Sequence, residues 1–351
     1  MNGRQDYLRA YNFRNPGRIP ARYTITGAAW EYYGVGEMKK MIKRHGILFA
    51  GEKFDHISEG NIQFKPYRIK GVDYTDSWGC VWRTGRNGST GVVVKHPLDD
   101  LSHIADLTTP DPDAHNGWEP IDWAEIAESV EEDRKNNRIT HRGLRHGFFF
   151  LTMTYLRGFE NLMVDIYDET PDFLELMDKV EAFNEAQVKR LMALNTDIMG
   201  FPEDLGSQDR LLISPGAFRK HIKPAYKRLM SPVREKGTLI HMHSDGHIME
   251  IIDDLIECGV NIINLQDLVN GIDEIEREIK GRIAVDLDVD RQDVTVKGSP
   301  GDIDDLIREE VMKLGSPRGG LSLVYGLYPG TPPANAEAVM SAMEKYSLYY
   351  K

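Results

Sequence analysis

Short apolar runs alternate with longer amphipathic stretches along most of this chain. Eight of these runs are rich in β-branched and aromatic residues, and each precedes a stretch in which apolar residues recur at helical spacing. The runs are residues 18–26, 54–58, 147–152, 197–201, 238–241, 261–265, 282–287 and 320–325. A regular series of this kind predicts a parallel β-sheet covered by helices.

The helices are clearest in the middle of the chain. Residues 171–194 carry apolar side chains at helical spacing, so one face of this helix is expected to be buried. Ser214 and Pro215 fit the N-cap and the first position of a second helix, which is predicted to continue to residue 235. A third helix is predicted within residues 246–258.

Residues 60–120 interrupt this series. The segments 74–83 and 91–94 are β-rich and joined by turn residues, which predicts a hairpin inserted into a barrel unit. The acidic segment 118–138 is expected to be a solvated helix. The sequence therefore predicts a single domain over residues 1–351, a (β/α)8 TIM barrel with an N-terminal extension and a β-hairpin insertion. A doubly wound open sheet is the alternative, but no glycine-rich dinucleotide motif follows an early strand.

The composition narrows the classes of function. The chain has 43 basic and 55 acidic residues, giving a net charge of −12, so it lacks the positive field that favours nucleic acids. Its apolar runs are much shorter than the roughly twenty residues that cross a bilayer. With two cysteines and no recognisable secretion signal, we expect a cytoplasmic protein with no nucleic-acid or membrane partner.

Chemistry in such barrels is carried by residues at the ends of strands. His241 and His243 lie at the end of one predicted strand, and alternation places both on the same face. The preceding strand is followed by Glu203 and Asp204, and Asp245 comes two residues after His243. Imidazole nitrogens and carboxylate oxygens are ligands for a divalent metal. The candidate metal ligands are therefore His241, His243, Glu203 and Asp245.

Each of these assignments has a structural alternative. His241 also fits a hydrogen-bonded core histidine, and Asp245 also fits a cap on the next helix. The side chains of Glu203 and Asp204 diverge because the residues are adjacent. We expect one carboxylate to face the pocket and the other to accept backbone N–H groups from the 203–208 loop.

The order of several motifs resembles the uroporphyrinogen decarboxylase superfamily. The similar segments are 203–208, Leu212 to Pro215, Phe218, Ile222 to Pro224, 243–246, Asn261 to Gly271, and Pro333 to Asn335. The resemblance implies the barrel fold and one of two activities. These are decarboxylation of uroporphyrinogen and methyl transfer to or from a corrinoid protein.

Two departures from the superfamily patterns separate these activities. Ile25 and Ala29 occupy positions where the decarboxylases carry arginines for substrate carboxylates, each worth about 1.5–3 kcal/mol. His243 matches the histidine of the His-x-Cys zinc motif of corrinoid-linked relatives, but Asp245 and Leu327 replace the cysteines. Oxygen and nitrogen ligands donate less charge than thiolates, so a zinc ion here would be the stronger Lewis acid towards an ether oxygen.

The predicted function is methyl transfer from a small methoxylated compound to a corrinoid protein, with zinc as a Lewis acid. Uroporphyrinogen decarboxylation and a non-catalytic barrel that binds a tetrapyrrole or a partner are the alternatives. Oligomeric state is left open, a homodimer being one option. The residues assigned to catalysis are Glu203, His243 and Asp204, and those assigned to substrate contact are Tyr155, Gln208, Tyr325 and Trp78. Trp78 equally fits a packing anchor.

Overall fold

The computed structural model describes residues 3–50, 52, 54–58 and 60–350. This part of the chain contains two sheets, one of seven strands and one of three. The strands are β1 (Ala21–Ile25), β2 (Asp73–Thr75), β3 (Val81–Arg83), β4 (Val92–Lys95), β5 (His141–Gly143), β6 (Ile198–Asp204), β7 (Leu239–Asp245), β8 (Ile262–Gln266), β9 (Ala284–Asp288) and β10 (Leu321–Leu327). The larger sheet has the order β1, β10, β9, β8, β7, β6, β5.

Helices separate most of the strands. The α-helices are α1 (Arg4–Tyr11), α2 (Gly27–Tyr33), α3 (Val35–Arg44), α4 (Trp123–Lys135), α5 (Phe150–Arg157), α6 (Phe159–Asp168), α7 (Pro171–Ala193), α8 (Pro215–Ala217), α9 (Lys223–Glu235), α10 (Ile252–Cys258), α11 (Asp267–Asn270), α12 (Ile272–Glu278), α13 (Val294–Lys297), α14 (Pro300–Leu314) and α15 (Pro333–Tyr346). Short 3-10 helices occur at Pro66–Arg68, Leu101–Asp106 and Met249–Ile251, and a π-helical turn occurs at Phe218–Ile222. Within the described residues, no helix combines the length and the apolar character needed to cross a membrane.

The predicted α/β class with an antiparallel insertion is confirmed. Six of the eight predicted strands coincide with β1, β6, β7, β8, β9 and β10, and the hairpin region forms the β2, β3, β4 sheet. The helix predicted over 171–194 is α7, and Ser214 caps the next helix by accepting the N–H of Ala217. That helix passes through the π-helical turn before it ends with α9.

Two of the predicted strands are wrong. Residues 54–58 form turns and irregular backbone, and residues 147–152 form a turn and the first residues of α5. The strand in this region is instead β5, only three residues long. A short apolar run fits a buried strand and a buried helix equally well, and Phe148, Phe149 and Phe150 are indeed almost fully buried.

The described chain divides into two compact units. Unit 1 comprises the described residues of Met1–Val72, Thr84–Gly91 and Asn264–Lys351. Unit 2 comprises the described residues of Asp73–Arg83 and Val92–Ile263. In unit 1, β10 pairs in parallel with β1 and with β9. In unit 2, β6 pairs in parallel with β5 and with β7, and α7 packs against α9.

Unit 1 contains a buried pair of carboxyl groups. Asp267 at the start of α11 accepts the N–H groups of Leu268 at 2.6 Å and Asp290 at 2.8 Å. Glu310 on α14 is fully buried and faces Asp267, and among the described residues neither of its carboxyl oxygens has a hydrogen-bond partner. Burial raises the pKa of Glu310 well above its usual range, and the facing Asp267 carboxylate raises it further. Glu310 is therefore the member of the pair that holds a proton at neutral pH.

Replacement of Glu310 by glutamine should remove a pH dependence of stability. In wild type the folded state holds a proton that an unfolded glutamate releases above pH ~4.3, so rising pH costs up to about 1.4 kcal/mol of stability per unit until the raised pKa is reached. Glu310→Gln keeps an N–H donor for Asp267 and does not titrate. Urea unfolding at pH 5, 6, 7 and 8 should therefore show the variant gaining on wild type as pH rises.

The matched control is Glu309→Gln, because Glu309 is exposed and pairs with Lys313. This variant should keep the wild-type slope of stability against pH. Parallel slopes for Glu310→Gln and wild type would contradict a protonated Glu310.

Candidate functional site

The candidate site lies in unit 2, where β6 and β7 end together. In the parallel register, Pro202 is opposite His243 and Asp204 is opposite Asp245. Alternation places the side chains of His243, Asp204 and Asp245 on one face of the two strands, and Glu203 on the other. The predicted divergence of Glu203 and Asp204 is therefore observed, and Asp204 is the residue that shares a face with His243.

Three side chains meet at this point. One carboxylate oxygen of Asp204, Oδ1, is 3.3 Å from Nε2 of His146 and 3.5 Å from Nε2 of His243. One nitrogen or oxygen from each of the three residues lies within 4.8 Å of the others. We refer to His146, Asp204 and His243 as the His-Asp-His cluster. Its side chains are partly exposed, at 43%, 29% and 19% respectively, so a small molecule has access to it.

The electrostatics of the cluster favour a charged Asp204. Burial alone raises the pKa of a carboxyl group, but the hydrogen bonds and charges of His146 and His243 outweigh it and lower the pKa of Asp204 far below its usual range. The carboxylate is therefore ionised at neutral pH. An ionised carboxylate between two imidazoles has the protonation state that a metal ligand needs.

Backbone contacts hold the cluster in place. The N–H of Asp245 donates to Oδ1 of Asp204 at 3.1 Å, and the buried hydroxyl of Ser244 accepts the N–H of Leu205 at 2.9 Å. Gly246 follows with a positive φ of 83°, and a side chain there would collide with the backbone of Gly206. The ends of β6 and β7 are therefore held in contact by their backbones.

Asp245 lies at the rim of the cluster. Its Oδ1 is 3.8 Å from Nε2 of His243, and 41% of its side chain is exposed. The following helical turn has Ile248 at its N-cap, without a capping side chain. Asp245 therefore lies beside His243, at the edge of the cluster.

Glu203 belongs to a different contact. Its buried carboxylate accepts the N–H groups of Phe149 at 2.6 Å, Phe150 at 2.9 Å and Leu151 at 3.2 Å. These are the first N–H groups of α5, whose N-cap residue Phe149 has no side chain able to accept them. The carboxylate therefore caps the helix from another strand, where the helix dipole also favours negative charge.

Burial and the three N–H donors act on the charge of Glu203 in opposite directions. Burial raises the pKa of Glu203 to about 8, although the three N–H donors lower it. The expected convergence of Glu203 and His243 on one cavity is not what the structure has, because the carboxylate of Glu203 is directed at α5. The N–H groups that it accepts come from residues 149–151 and not from the expected 203–208 loop.

His146 is the member of the cluster that the sequence interpretation missed. It follows β5 by three residues, so it occupies the strand end at which a barrel carries its chemistry. The sequence predicts a strand in the apolar run that follows His146. In that prediction His146 lies at the start of a strand and not after its end. Residues 141–143 are His-Arg-Gly, which carry no pattern of β-branched residues that would mark them as a strand.

His241 lies below the cluster on the same face of β7. It is buried, and its ring meets the ring of His141 at a centroid distance of 4.8 Å in an edge-to-face arrangement. Gly200 makes room for this pair, since a Cβ there would lie 2.8 Å from Nε2 of His141. The structure thus places His241 in a histidine pair and outside the three-residue cluster.

The residues assigned to substrate contact are mostly held in packing contacts. Trp78 is buried and packs edge to face on Phe183 of α7, which matches the packing alternative. Tyr325 in unit 1 is fully buried, with its ring 5.1 Å from that of Tyr23. Gln208 is exposed in the loop after β6.

Tyr155 belongs to an aromatic cage in unit 2. Its ring packs edge to face on Trp82 at 4.7 Å, and the guanidinium of Arg145 lies 5.6 Å from the Tyr155 ring and 4.5 Å from the Trp118 ring. Arg145 also donates to the carbonyl oxygen of Gly117 at 2.6 Å. Because Arg145 directly precedes His146, this cage holds the loop that carries the histidine.

Neither cysteine offers a thiolate to the cluster. Cys80 and Cys258 are both buried and free. Burial raises the pKa of Cys258 to about 11 and that of Cys80 further.

The His-Asp-His cluster fits a zinc ion. Four ligands at zinc bond lengths of about 2.0–2.1 Å in a tetrahedron lie roughly 3.3 Å from one another. The two separations from Oδ1 of Asp204, 3.3 and 3.5 Å, are close to this spacing. Two imidazoles and one carboxylate also form the ligand set of many catalytic zinc sites, which keep a fourth position open.

Comparison with solved structures finds similar folds. A methyltransferase from Methanosarcina mazei is similar with a TM-score of 0.68 and 16% identity, over 98% of both chains. A B12-independent methionine synthase from Shewanella sp. gives a TM-score of 0.43 and 13% identity, over 63% of this chain and 65% of that one. The first likeness covers nearly the whole chain and confirms the predicted fold class.

Comparison at the level of sequence agrees. No curated protein sequence matches the chain. The family model described as uroporphyrinogen decarboxylase (URO-D) matches residues 79–346, which is more than half of the chain. The match includes β6, β7 and the whole His-Asp-His cluster. This chain belongs to the uroporphyrinogen decarboxylase family.

Proposed function

We propose that this protein is a methyltransferase that moves a methyl group from a small methoxylated compound to a corrinoid protein. The observation that carries the proposal is the His-Asp-His cluster, with its ligand atoms within 4.8 Å of one another in a partly exposed position. The family membership and the whole-chain likeness to a methyltransferase fold support it.

In the proposed reaction the bond between the methyl carbon and the ether oxygen breaks, and its electron pair stays on the oxygen, which takes up a proton from water. Both electrons of the new methyl–cobalt bond come from the cobalt(I) of the corrinoid partner. A zinc ion bound by the cluster would supply Lewis acidity towards the ether oxygen.

The chain's own residues have separate tasks in this proposal. Asp204 and the two histidines would hold the zinc ion, and Asp245 lies near enough to add a fourth ligand or to bind a water molecule. Glu203 positions α5, and through α5 the loop that carries His146. In this proposal the chain would orient the methyl donor relative to the zinc ion, and this orientation would contribute to the rate.

Uroporphyrinogen decarboxylation is the second candidate. Ile25 ends β1 and Ala29 is fully buried in α2, so neither position offers a guanidinium to a substrate carboxylate. A substrate with many carboxylates needs several such partners. This observation ranks decarboxylation below methyl transfer.

Purified protein should contain about one equivalent of zinc, measured by elemental mass spectrometry after gel filtration. His243→Ala and Asp204→Asn each remove one of three ligands and should weaken zinc binding by more than about 100-fold. His103→Ala is the control, since His103 is exposed and lies outside the cluster. Undiminished zinc in both cluster variants would show that the metal binds elsewhere.

Glu203→Gln separates the capping role from a ligand role. The amide nitrogen of glutamine would face the N–H of Leu151, so the variant should lose about 1–3 kcal/mol of unfolding free energy. Its zinc content should stay at the wild-type level. Loss of zinc from a variant that remains folded by circular dichroism would return Glu203 to the ligand set.

Zinc-loaded protein should transfer methyl groups from a panel of methoxyarenes to free cob(I)alamin, followed by the absorbance of methylcobalamin and by chromatography of the demethylated product. Asp204→Asn should reduce the rate at least about 100-fold, because Lewis acidity contributes several kcal/mol to the barrier. Coproporphyrinogen production from uroporphyrinogen by a protein inert towards every methoxyarene would reverse the ranking of the two activities.

A further inference from the structure

The inserted hairpin of unit 2 has no task in the proposed reaction, yet its turn is highly ordered. The turn between β2 and β3 is built on Asp76, which is 5% exposed. The carboxylate of Asp76 accepts the backbone N–H groups of Trp78 at 3.0 Å and Cys80 at 2.9 Å. It also accepts the indole N–H of Trp82 at 2.8 Å. Asp76 therefore fixes the ring of Trp82 relative to the backbone of the hairpin.

Trp82 contacts the chain on both sides of His146. After His146 in the chain, the ring of Tyr155 in α5 packs edge to face on Trp82 at 4.7 Å. Before it, the guanidinium carbon of Arg145 lies 5.8 Å from the centre of the Trp82 ring. The thiol of Cys80 adds a hydrogen bond to the carbonyl oxygen of Tyr155 at 3.3 Å. The hairpin is therefore docked on the segment that carries His146.

Arg145 is held mainly by aromatic rings. Its guanidinium carbon lies 4.5 Å from the centre of the Trp118 ring and 5.6 Å from that of Tyr155, in addition to its contact with Trp82. Among the described residues, the one acceptor that its guanidinium reaches is the carbonyl oxygen of Gly117, and its Nε has no hydrogen-bond partner. Burial lowers the pKa of Arg145, so its positive charge is kept at a cost.

Filling space beneath the hairpin is the ordinary interpretation of such a side chain. A methionine or a leucine would fill the same space without desolvating a charge. A guanidinium differs from them because the flat contact with the Trp118 ring and the hydrogen bond to Gly117 together fix its plane. The orientation of Arg145 matters for the next residue, since the planar peptide bond joins it to His146.

The backbone around His146 is bonded to β6. The N–H groups of Leu144 and Gly147 both donate to carbonyl oxygens of that strand, each at 2.9 Å. β6 is also the strand that ends in Asp204. Arg145 and His146 are thus the two residues between these hydrogen bonds, so an arginine held by the hairpin steadies the short segment that faces Asp204.

We propose that the inserted hairpin positions His146 for the candidate site, with Arg145 as the positioning residue that the hairpin holds. This contact keeps the segment in the arrangement that places Nε2 of His146 3.3 Å from Oδ1 of Asp204. The inference rests on the zinc site of the proposed function and assigns to that site a supporting element from outside its ligand set.

The first test is amide hydrogen exchange of the full chain without metal, measured by mass spectrometry. Arg145→Met should speed exchange of the Leu144 and Gly147 amides by at least about 10-fold, because their bonds to β6 open more often. Arg157→Met is the matched control, since Arg157 is also mostly buried but pairs with Asp165 at the far end of α5. This variant should leave exchange at those two amides at the wild-type rate.

A second pair of variants tests the hairpin itself. Trp82→Leu removes a ring that contacts Arg145, whereas Trp78→Leu removes an equally buried ring of the same hairpin that packs on Phe183. Trp82→Leu should speed exchange within residues 144–147, and Trp78→Leu should not. Equal effects of the two tryptophan variants, or of the two arginine variants, would reveal a general loss of stability and would overturn the proposal.

The third test is zinc affinity, measured by competition with a chelating dye. Arg145→Met should weaken zinc binding about 10-fold, and Arg145→Lys, which keeps the charge without the planar fork, should weaken it less. In a His146→Ala background, Arg145→Met should cause no further loss, because its effect acts through His146. Additive losses in the double variant would contradict the positioning role.

These outcomes separate the inference from the proposed function. If wild-type protein binds no zinc, the proposed metal site fails, and the exchange measurements still decide whether the hairpin positions His146. If wild-type protein binds zinc with an affinity that Arg145→Met leaves unchanged, the positioning role fails and the proposed function stands.

Discussion

The buried carboxylate of Glu203 at the start of α5 is the contact on which the candidate site depends. It satisfies three N–H groups that the chain leading into the helix does not satisfy, and it does so from the end of β6. The start of α5 follows His146 by four residues, so fixing it also fixes the loop that carries this histidine. An uncapped helix end in an apolar setting would leave unpaired donors, each costing about 1–3 kcal/mol.

Adjacent residues of one strand divide the work at this position. Glu203 is directed to the helix side of β6, and Asp204 is directed to the side on which His146 and His243 meet. The pKa of Glu203 is raised because burial dominates there. The pKa of Asp204 is lowered because the two imidazoles together outweigh burial. Strand alternation alone separates a structural acid from a candidate ligand with no extra residue between them.

Much of the architecture follows from local signals in the sequence. Apolar runs of strand length, the Ser214 cap and the amphipathic 171–194 segment have the structures expected of them, since burial of an apolar face and satisfaction of helix ends act over a few residues. The strand predicted at Phe148 to Phe150 is wrong because a short apolar segment is buried as readily in a helix as in a strand. The cap that decides between the two comes from Glu203, more than fifty residues later in the chain.

The sequence by itself determined the class of fold, the family resemblance and the neighbourhood of the chemistry at residues 203–204 and 243–245. Only the tertiary structure decided which acid faces the histidines, that His146 joins them, and which rings Trp78 and Tyr325 contact. The physical reason is the separation along the chain between the residues that set each feature. Periodicity and capping are properties of neighbouring residues, whereas a ligand cluster and the contacts of a buried carboxylate are set by the register between strands and by helix ends brought together from distant parts of the chain.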